Sequence, residues 1–405
     1  MAAASNGGIG ETPAGGTLAA AISVYLGGLV IGLTLVSFPA SSLVLRSIHG
    51  FSNEAYGSIY LPQLIAAVAG ALAGGAAEGR VSLKAMYVVS LLAFCLAETL
   101  LALSAGASSA AALPMVMAAT ALFGFGFGFG GGPLNAFAAL LFPARQGAAV
   151  TALHMCAGAG LTLAPILFAA LDRIGLWIVG PVALAVIAGL LALLSLRAPL
   201  PVPPREDAQA ATGLHPARTP FFWLCAAAAM FYSIAEGTFS NWAIVFLTDE
   251  RGLDPQAAAL ALTCFWAALT LGRLLATLIA GWLPPVAFLL SLPLAIMLTQ
   301  LTLPTVGSPA SALIAFAAAG LSCSAFFPML VAFAAAPTPR AISWIASMLT
   351  AAMMVGVGIG SYAIGALRGS GPIADLYSRS TVAPALCLIA TLAAFVLIRR
   401  RRSRA

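Results

Sequence analysis

Long apolar segments alternate with short polar ones along almost the whole chain. Twelve segments of about twenty or more predominantly apolar residues can be placed, and almost every charge falls between them. A helix that crosses a hydrocarbon core of about 30 Å needs roughly 20 such residues. The pattern predicts twelve membrane-spanning helices, at residues 18–45, 55–77, 84–105, 111–141, 147–170, 174–196, 220–247, 256–281, 284–304, 309–335, 342–366 and 380–398.

The composition agrees with a chain whose solvent is lipid rather than water. Hydrophobic residues make up 61% of it and charged residues 7%, whereas a soluble domain carries about 25% charged residues. We therefore predict an all-α integral membrane protein. We find no nucleophile–base constellation and no metal-ligand cluster in the sequence, so we expect no enzymatic activity, no cofactor and no metal.

The net charge of +6 reflects topology rather than nucleic-acid binding. If both termini are cytoplasmic, twelve of the basic residues face the cytoplasm and five face the other side. This asymmetry follows the positive-inside rule. The arginine run at 399–402 also suits contact with anionic lipid. We expect a multi-pass protein of the inner (plasma) membrane, with both termini in the cytoplasm and no nucleic-acid partner.

One change in composition divides the chain into two sets of six spans. The segment 197–219 is too polar to cross a bilayer and too rich in proline for a continuous helix. The two sets share one sequence feature: a proline in the fourth span and a proline in the tenth span each precede an arginine by twelve residues. We predict a cytoplasmic tail at 1–17, six-helix bundles at 18–196 and 220–398, a cytoplasmic linker at 197–219 and a basic tail at 399–405.

A glycine-rich run at 124–132 in the fourth span superficially resembles a nucleotide-binding loop. No predicted strand precedes it, so that interpretation fails its structural context. Gly124, Gly128 and Gly132 repeat every four residues and share one helix face, as small residues do where helix backbones approach closely. We predict close helix packing there, on a smooth surface that also suits helices that slide.

One carboxylate, Glu236 in the seventh span, breaks the apolar pattern. An ionisable group inside a membrane is costly and points to function by default. Tyr232 lies one turn before it and Ser240 one turn after it, so the three side chains share a face. A carboxyl that is neutral when enclosed and ionised when wetted is what proton coupling requires. We favour that role over a structural carboxyl that is hydrogen-bonded to a neighbouring helix.

Four other polar residues inside predicted spans are candidates for a functional or a structural role. Arg273 is suited to pair with a carboxylate, to bind an anionic solute or to extend to the membrane interface, and we favour a gating or helix-end role over contact with the substrate. Asn135 and His154 lie about 15 Å inside on adjacent antiparallel helices, where they bind a hydroxylated solute, satisfy each other or satisfy a backbone carbonyl. Glu98 has no obvious partner, and we favour a structural use. Tyr232, Asn135, His154 and Arg273 are the candidate substrate-binding residues.

Several short motifs in both halves are shared with a known transporter family. They are Leu-Phe-Pro-Ala-Arg-Gln-Gly at 141–147 between Asn135 and His154, Tyr232 with Glu236 and Trp242, Leu-Thr-Leu-Gly-Arg at 269–273, and Phe-Phe-Pro at 326–328. In these motifs the chain resembles major-facilitator transporters close to the fucose/glucose–proton symporter group. The resemblance implies the major-facilitator fold, with two pseudo-symmetric six-helix bundles and a solute site between them near the midplane.

The resemblance also bears on gating and on proton coupling. The loop after the second span resembles a degenerate form of the family's inter-helix signature, which implies a conformational latch at Glu78 and Arg80. Sugar–proton members carry acidic residues in the first and fourth helices. Here the first span has no acid, and the position one turn before Asn135 is Gly131. Glu236 is therefore the best remaining site for proton coupling.

These features predict a secondary active transporter that moves a small organic solute by alternating access. We expect a monomer in the lipid bilayer that carries protons with the solute, as a symporter does, through Glu236. Two alternatives stay open: an exporter of amphipathic compounds, which a cavity poor in polar residues would suit, and a non-transporting scaffold or sensor with the same fold. The sequence leaves the identity of the solute and the direction of transport open.

Overall fold

The residues that the structure describes form twelve helices that are long and apolar enough to cross a membrane. The computed structural model describes residues 14–77, 80–202, 216–279, 282–338 and 341–402, and none of them forms a strand. The predicted number of spans is confirmed. We number these helices α1 Ala14–Ala40, α2 Asn53–Ala77, α3 Leu83–Ser104, α4 Ser109–Leu141, α5 Gln146–Arg173, α6 Val179–Arg197, α7 Pro220–Glu250, α8 Pro255–Ile279, α9 Pro285–Thr302, α10 Pro309–Ala335, α11 Ile342–Leu367 and α12 Ile373–Arg400.

Three predicted spans differ from the structure by five or more residues at one boundary, and the twelfth does so because it begins at Ile373 and not at residue 380. The first span ends at Ala40 and not at residue 45, because a separate short helix, Ser42–His49, follows it and ends at Gly50, whose φ is 67°. The sixth span begins at Val179 and not at residue 174, because Gly175 turns the chain with a φ of 72°. Such left-handed dihedrals favour glycine, which has no Cβ to clash.

The two sets of six helices pack by the same plan. In the first set α1 packs on α5, α2 packs on α4, and α3 packs on both α4 and α6. Each contact recurs six helices later, where α7 packs on α11, α8 packs on α10, and α9 packs on both α10 and α12. Two reciprocal contacts, α5 with α8 and α2 with α11, join the sets. The fold therefore consists of two pseudo-symmetric bundles, which we call the N-half (α1–α6) and the C-half (α7–α12).

The tails and the linker of the predicted organisation fall largely outside this description. Residues 1–13, most of the linker (203–215) and residues 403–405 are not among the described ones. The predicted boundaries of the two bundles, the linker and the tails therefore stay predictions.

The glycine faces pack as predicted, with one exception. A Cβ at Gly124 or Gly128 would overlap the backbone of α2, at the carbonyl oxygens of Gln63 and Ala67 respectively. Gly132, the third member of that face, would meet no atom of another helix within 4 Å. The face is thus closely packed over its first two glycines, and its last turn borders open space.

The two ends of the molecule differ in how the halves meet. An even number of crossings puts the start of α1 and the end of α12 on the same side, which we call the terminal side; the other is the distal side. Polar contacts join the halves on the distal side. They are Arg46 Nη1 to Asp249 Oδ2 at 2.8 Å, the Tyr56 hydroxyl to the Asn241 carbonyl at 3.0 Å, and Arg173 Nη1 to Gln256 Oε1 at 3.3 Å.

Candidate functional site

A break in α10 places two polar side chains near the middle of the C-half. The helix is interrupted at Ala325, three residues before Pro328. Proline has no backbone N–H, so the carbonyl of Ser324, four residues earlier, loses its partner within the helix. Arg273 Nε of α8 donates to that carbonyl at 3.2 Å, and the Tyr232 hydroxyl of α7 donates to the carbonyl of Cys323 at 2.7 Å. The break is therefore the structural anchor of both side chains.

Glu236 is enclosed close to the middle of α7. It lies 16 residues after Pro220, roughly 24 Å along the helix axis, and its exposed fraction is 8%. Its Oε2 atom has no hydrogen-bond partner among the described residues. The charged and titratable groups that act on this carboxyl are Arg273 of α8, Tyr232 on its own helix and Cys323 of α10.

Glu236 and Arg273 interact electrostatically without forming an ion pair. The ion pairs among the described residues are Arg46 with Asp249 and Arg368 with Glu250, both near the distal end of α7. Arg273 is half-buried. Its one hydrogen bond to a described residue is the one that Nε donates. Arg273 thus places a positive charge near Glu236 and leaves its terminal amino groups available.

On the terminal side the halves leave space between them. His154 of α5 is exposed, yet the charge of Arg273, in the opposite half, acts on it. Gly131 of α4 would meet no atom of another helix within 4 Å if it carried a Cβ. The side chains of His154 and Arg273 therefore belong to opposite halves and face the same inter-half space.

Asn135 and His154 do not satisfy each other. Asn135 Nδ2 donates to the carbonyl of Gly131, one turn earlier on the same helix, at 2.8 Å. His154 makes no hydrogen bond to another described residue. Both remain candidates for contact with a solute. In Asn135 the hydrogen bond involves the amide nitrogen and leaves the amide oxygen available.

Tyr232 differs from the expectation of a cavity-lining residue. Its side chain is fully buried, stacked on Phe326 with ring centroids 4.8 Å apart, and its hydroxyl is engaged by Cys323. In this conformation it therefore joins α7 to α10 and does not line open space. Ser240, on the same face, bonds Asn241 Oδ1 at 3.3 Å.

The face of α8 that carries Arg273 also carries two polar groups that sequence reasoning did not single out. Trp266, Thr270 and Arg273 follow one another at spacings of four and three residues, so they share a face. The indole nitrogen of Trp266 and the hydroxyl of Thr270 are buried and have no partner among the described residues. This face meets α5, because the side chain of Thr270 lies against Gly158. The spacing is visible in the sequence, but the missing hydrogen-bond partners of Trp266 and Thr270 are seen only in the structure.

Of the two predicted latch residues, the structure describes only Arg80. Glu78 lies outside the described residues. Arg80 is exposed, and its Nη1 donates to the carbonyl of Ala76 at the end of α2, at 3.3 Å. The latch therefore stays a prediction.

Glu98 has a partner that sequence reasoning missed. Its carboxyl is fully buried in α3, and Oε1 accepts a hydrogen bond from the Ser37 hydroxyl of α1 at 2.7 Å. The two residues are 61 positions apart, and the packing of α1 on α3 is what brings them together. The contact agrees with the structural use that we favoured.

The chain is similar in sequence to a protein classed as a transporter. An uncharacterized MFS-type transporter of Yersinia pestis is 30% identical over 132 residues, which is 33% of this chain and 34% of the relative. The match thus spans about a third of the length of that curated relative.

Solved structures share the fold over nearly the whole chain. The nucleoside transporter NupG, solved as a point mutant, has a TM-score of 0.75 at 16% identity, covering 94% of this chain and 100% of NupG. A D-xylose–proton symporter has a TM-score of 0.74 at 16% identity, covering 93% and 97%. A bacterial homologue of the human lysosomal transporter Spinster, inward-facing and unoccupied, has a TM-score of 0.72 at 17% identity, covering 96% and 98%. At these identities the likeness shows the fold alone.

The sequence model of the Major Facilitator Superfamily matches residues 16–357, most of the chain. It agrees with the twelve helices, their two-bundle packing and the structural relatives. This multi-pass membrane protein belongs to the Major Facilitator Superfamily of transporters.

Proposed function

We propose that this protein is a secondary active transporter that couples the movement of a small organic solute to protons through Glu236. The observation that carries the proposal is the enclosed Glu236 carboxyl, which has an unpartnered oxygen near the middle of α7 and a positive charge close by. A buried polar atom without a partner calls for an explanation. A proton, a water molecule or a solute that binds at one stage of the cycle supplies one.

The polar candidates from the sequence take defined roles in this proposal. Arg273 and His154 face the inter-half space from opposite halves and contact the solute, together with Asn135. Tyr232 acts on Glu236 from its own helix and ties α7 to the break in α10. Because a ligand shifts a conformational equilibrium by its differential affinity for the two states, binding at both halves favours their closure around the solute.

The orientation of the molecule is part of the proposal. The basic residues predict that the terminal side faces the cytoplasm of a cell with an inner (plasma) membrane. The conformation described here is then open to the cytoplasm and closed on the other side by Arg46, Asp249 and the neighbouring contacts. The protein acts as a monomer in this scheme, since each chain contains both halves.

Solute-induced proton movement in liposomes tests the proposal. The full-length chain and its Glu236→Gln variant are reconstituted with a pH-sensitive dye inside the vesicles, and candidate solutes are added outside. We expect the wild type to move protons with its solute and the variant to move at least tenfold fewer protons, while it still exchanges solute across the membrane. Equal proton movement by the two proteins would show that Glu236 is not the coupling site.

The same assay separates the other two interpretations. Solute-dependent efflux of amphipathic compounds, with no proton movement linked to small polar solutes, would favour an exporter. The absence of any solute flux above that of protein-free liposomes, for a panel that includes sugars, nucleosides, organic acids and amphipathic cations, would favour a scaffold or sensor.

A further inference from the structure

Arg273 presents an incompletely used cation to the space between the halves. Its Nε is fixed on the Ser324 carbonyl, and its terminal amino groups make no hydrogen bond to a described residue. The fork geometry of a guanidinium matches a carboxylate, which accepts two parallel N–H···O bonds. Fixing Nε on the protein lowers the loss of side-chain freedom when the rest of the guanidinium binds a ligand. The arrangement is therefore pre-organised for an oxyanion.

The neighbouring polar atoms are mainly hydrogen-bond donors. The indole N–H of Trp266 can only donate, and the hydroxyl of Thr270 can donate as well as accept. Both are buried, without partners among the described residues, on the face of α8 that carries Arg273. His154 faces Arg273 from α5. A site rich in unfilled donors recognises a solute rich in acceptor oxygens, because leaving a buried donor unpaired costs about 1–3 kcal/mol.

The charges near the site favour a solute with one negative charge. When the site holds no solute and Glu236 is ionised, its negative charge balances the positive charge on Arg273. If a monoanion takes the place of the Glu236 charge beside Arg273, a proton on Glu236 restores neutrality. A dianion would leave one uncompensated charge in a low-dielectric region, which is costly.

We propose that the transported solute is a small organic monocarboxylate, held by Arg273 and moved with one proton on Glu236. The inference rests on the proposed function and specifies its substrate class. Binding of the anion without the proton leaves the site with a net charge of about −1, and binding of the proton without the anion leaves about +1. With only the anion or only the proton bound, the protein does not pass readily through its closed conformation. The anion and the proton are therefore transported together. A second oxygen on the solute, such as a 2-hydroxyl or 2-oxo group, accepts from the indole N–H of Trp266.

Paired solutes that differ in charge test the substrate class. The purified full-length chain is titrated with lactate and pyruvate, with lactamide as the neutral match of lactate, with inorganic phosphate as another oxyanion, and with D-xylose and uridine. Thermal unfolding in detergent reports binding, and dye-loaded liposomes report proton movement. We expect lactate and pyruvate to raise the unfolding temperature and to move protons, and lactamide, phosphate, D-xylose and uridine to do neither.

Variants of Arg273 and Trp266 locate the site. Arg273→Gln is expected to weaken carboxylate binding at least tenfold, about 1.4 kcal/mol, and Arg273→Lys by less, because lysine keeps the charge but not the fork. Trp266→Phe keeps a ring and loses the N–H, and it is expected to weaken lactate binding about threefold and acetate binding little. Arg379→Gln removes an exposed arginine of the C-half and is expected to bind as the wild type does.

The outcomes of these experiments distinguish the proposed substrate class from the proposed function on which it rests. Proton movement that depends on Glu236 and is elicited by D-xylose or uridine but not by carboxylates would overturn the substrate class and leave the proposed function standing. Carboxylate flux that depends on Arg273 but moves no protons would leave the substrate class standing and overturn the coupling. Unchanged carboxylate binding by a folded Arg273→Gln, or no binding by any carboxylate tested, would overturn the inference.

Discussion

Two buried carboxyls, one in each half, differ in what surrounds them. Glu98 of α3 is fully enclosed within the N-half, where Ser37 of α1 donates to one of its oxygens. No positively charged group acts on it among the described residues. Glu236 of α7 is almost as deeply buried, but Arg273 acts on it, and that arginine also faces His154 of the other half. The two carboxyls are thus buried to a similar extent. Only Glu236 is linked to the opposite half, through Arg273.

The difference indicates which carboxyl can report a change of conformation. In a rocking motion each half moves largely as a rigid body, so the surroundings of Glu98 move with it. The space beside Arg273 opens and closes, because its walls belong to different halves. A proton on Glu236 can therefore favour one conformation over the other, whereas a proton on Glu98 changes little between them.

The largest expected effect separates the two carboxyls directly. Glu236→Gln removes the titrating group and keeps its size, so we expect accumulation of solute driven by a pH gradient to fall at least tenfold, to about the level of passive equilibration. Glu98→Gln is the matched control, and its accumulation is expected to stay within about twofold of the wild type. Initial rates and plateaus in liposomes measure both. A loss in the control variant of the same size would remove the contrast.

A stability effect sharpens the structural role of Glu98. Ser37→Ala removes the donor to a fully buried carboxyl and leaves it without its hydrogen bond, which costs about 1–3 kcal/mol. We expect a lower unfolding temperature with little change in coupling. Ser47→Ala is the control, because Ser47 is exposed and bonds the carbonyl of Val44 in its own short helix. Equal unfolding temperatures for the two variants would count against the Ser37–Glu98 contact.

A smaller effect tests the anchor at the break in α10. Tyr232→Phe removes the hydrogen bond to the Cys323 carbonyl, which contributes about 1 kcal/mol, and keeps the ring that stacks on Phe326. We expect a small loss of stability and a solute affinity changed by less than about fivefold. Tyr362→Phe in α11, where the tyrosine is half-buried, serves as the control in both unfolding and binding measurements. An affinity loss above tenfold would instead assign Tyr232 to direct solute contact.

The smallest effect concerns the distal closure. Asp249→Asn weakens the partly exposed pair with Arg46, and such pairs contribute about 0–1 kcal/mol. We expect the population open on the distal side to rise by no more than about fivefold. Distances between spin labels at Ile48 and Arg379, in a background without the native cysteines, measure this population. Conversion to a fully distal-open state would mean that this pair alone holds the closure.

The fold was readable from the sequence because its dominant signal is local. Each span needs one long apolar run, which predicted all twelve, and the four-residue glycine repeat of α4 predicted close packing correctly at Gly124 and Gly128 but not at Gly132. The short helix Ser42–His49 was missed, because apolar residues continue past Ala40 and hide the end of α1.

The site was predictable at its most unusual residue and not in its contacts. Glu236 stands out as a charge in an apolar run, but the partner of Glu98 is 61 residues away and depends on helix packing. The bond between Arg273 and Ser324 depends on where the proline kink of α10 falls relative to α8. In the sequence, Trp266 and Thr270 look like ordinary packing residues. Only the missing hydrogen-bond partners of their polar atoms distinguish them from such residues.

The number of protons moved per solute tests the central claim most directly. It is obtained in liposomes from the pH gradient at which a fixed solute gradient produces no net flux. For the wild type and for Glu98→Gln we predict about one proton per solute, so the solute gradient and the pH gradient balance. For Glu236→Gln we predict a ratio near zero, with flux that follows the solute gradient alone. A ratio near one in Glu236→Gln, or near zero in Glu98→Gln, would contradict the account.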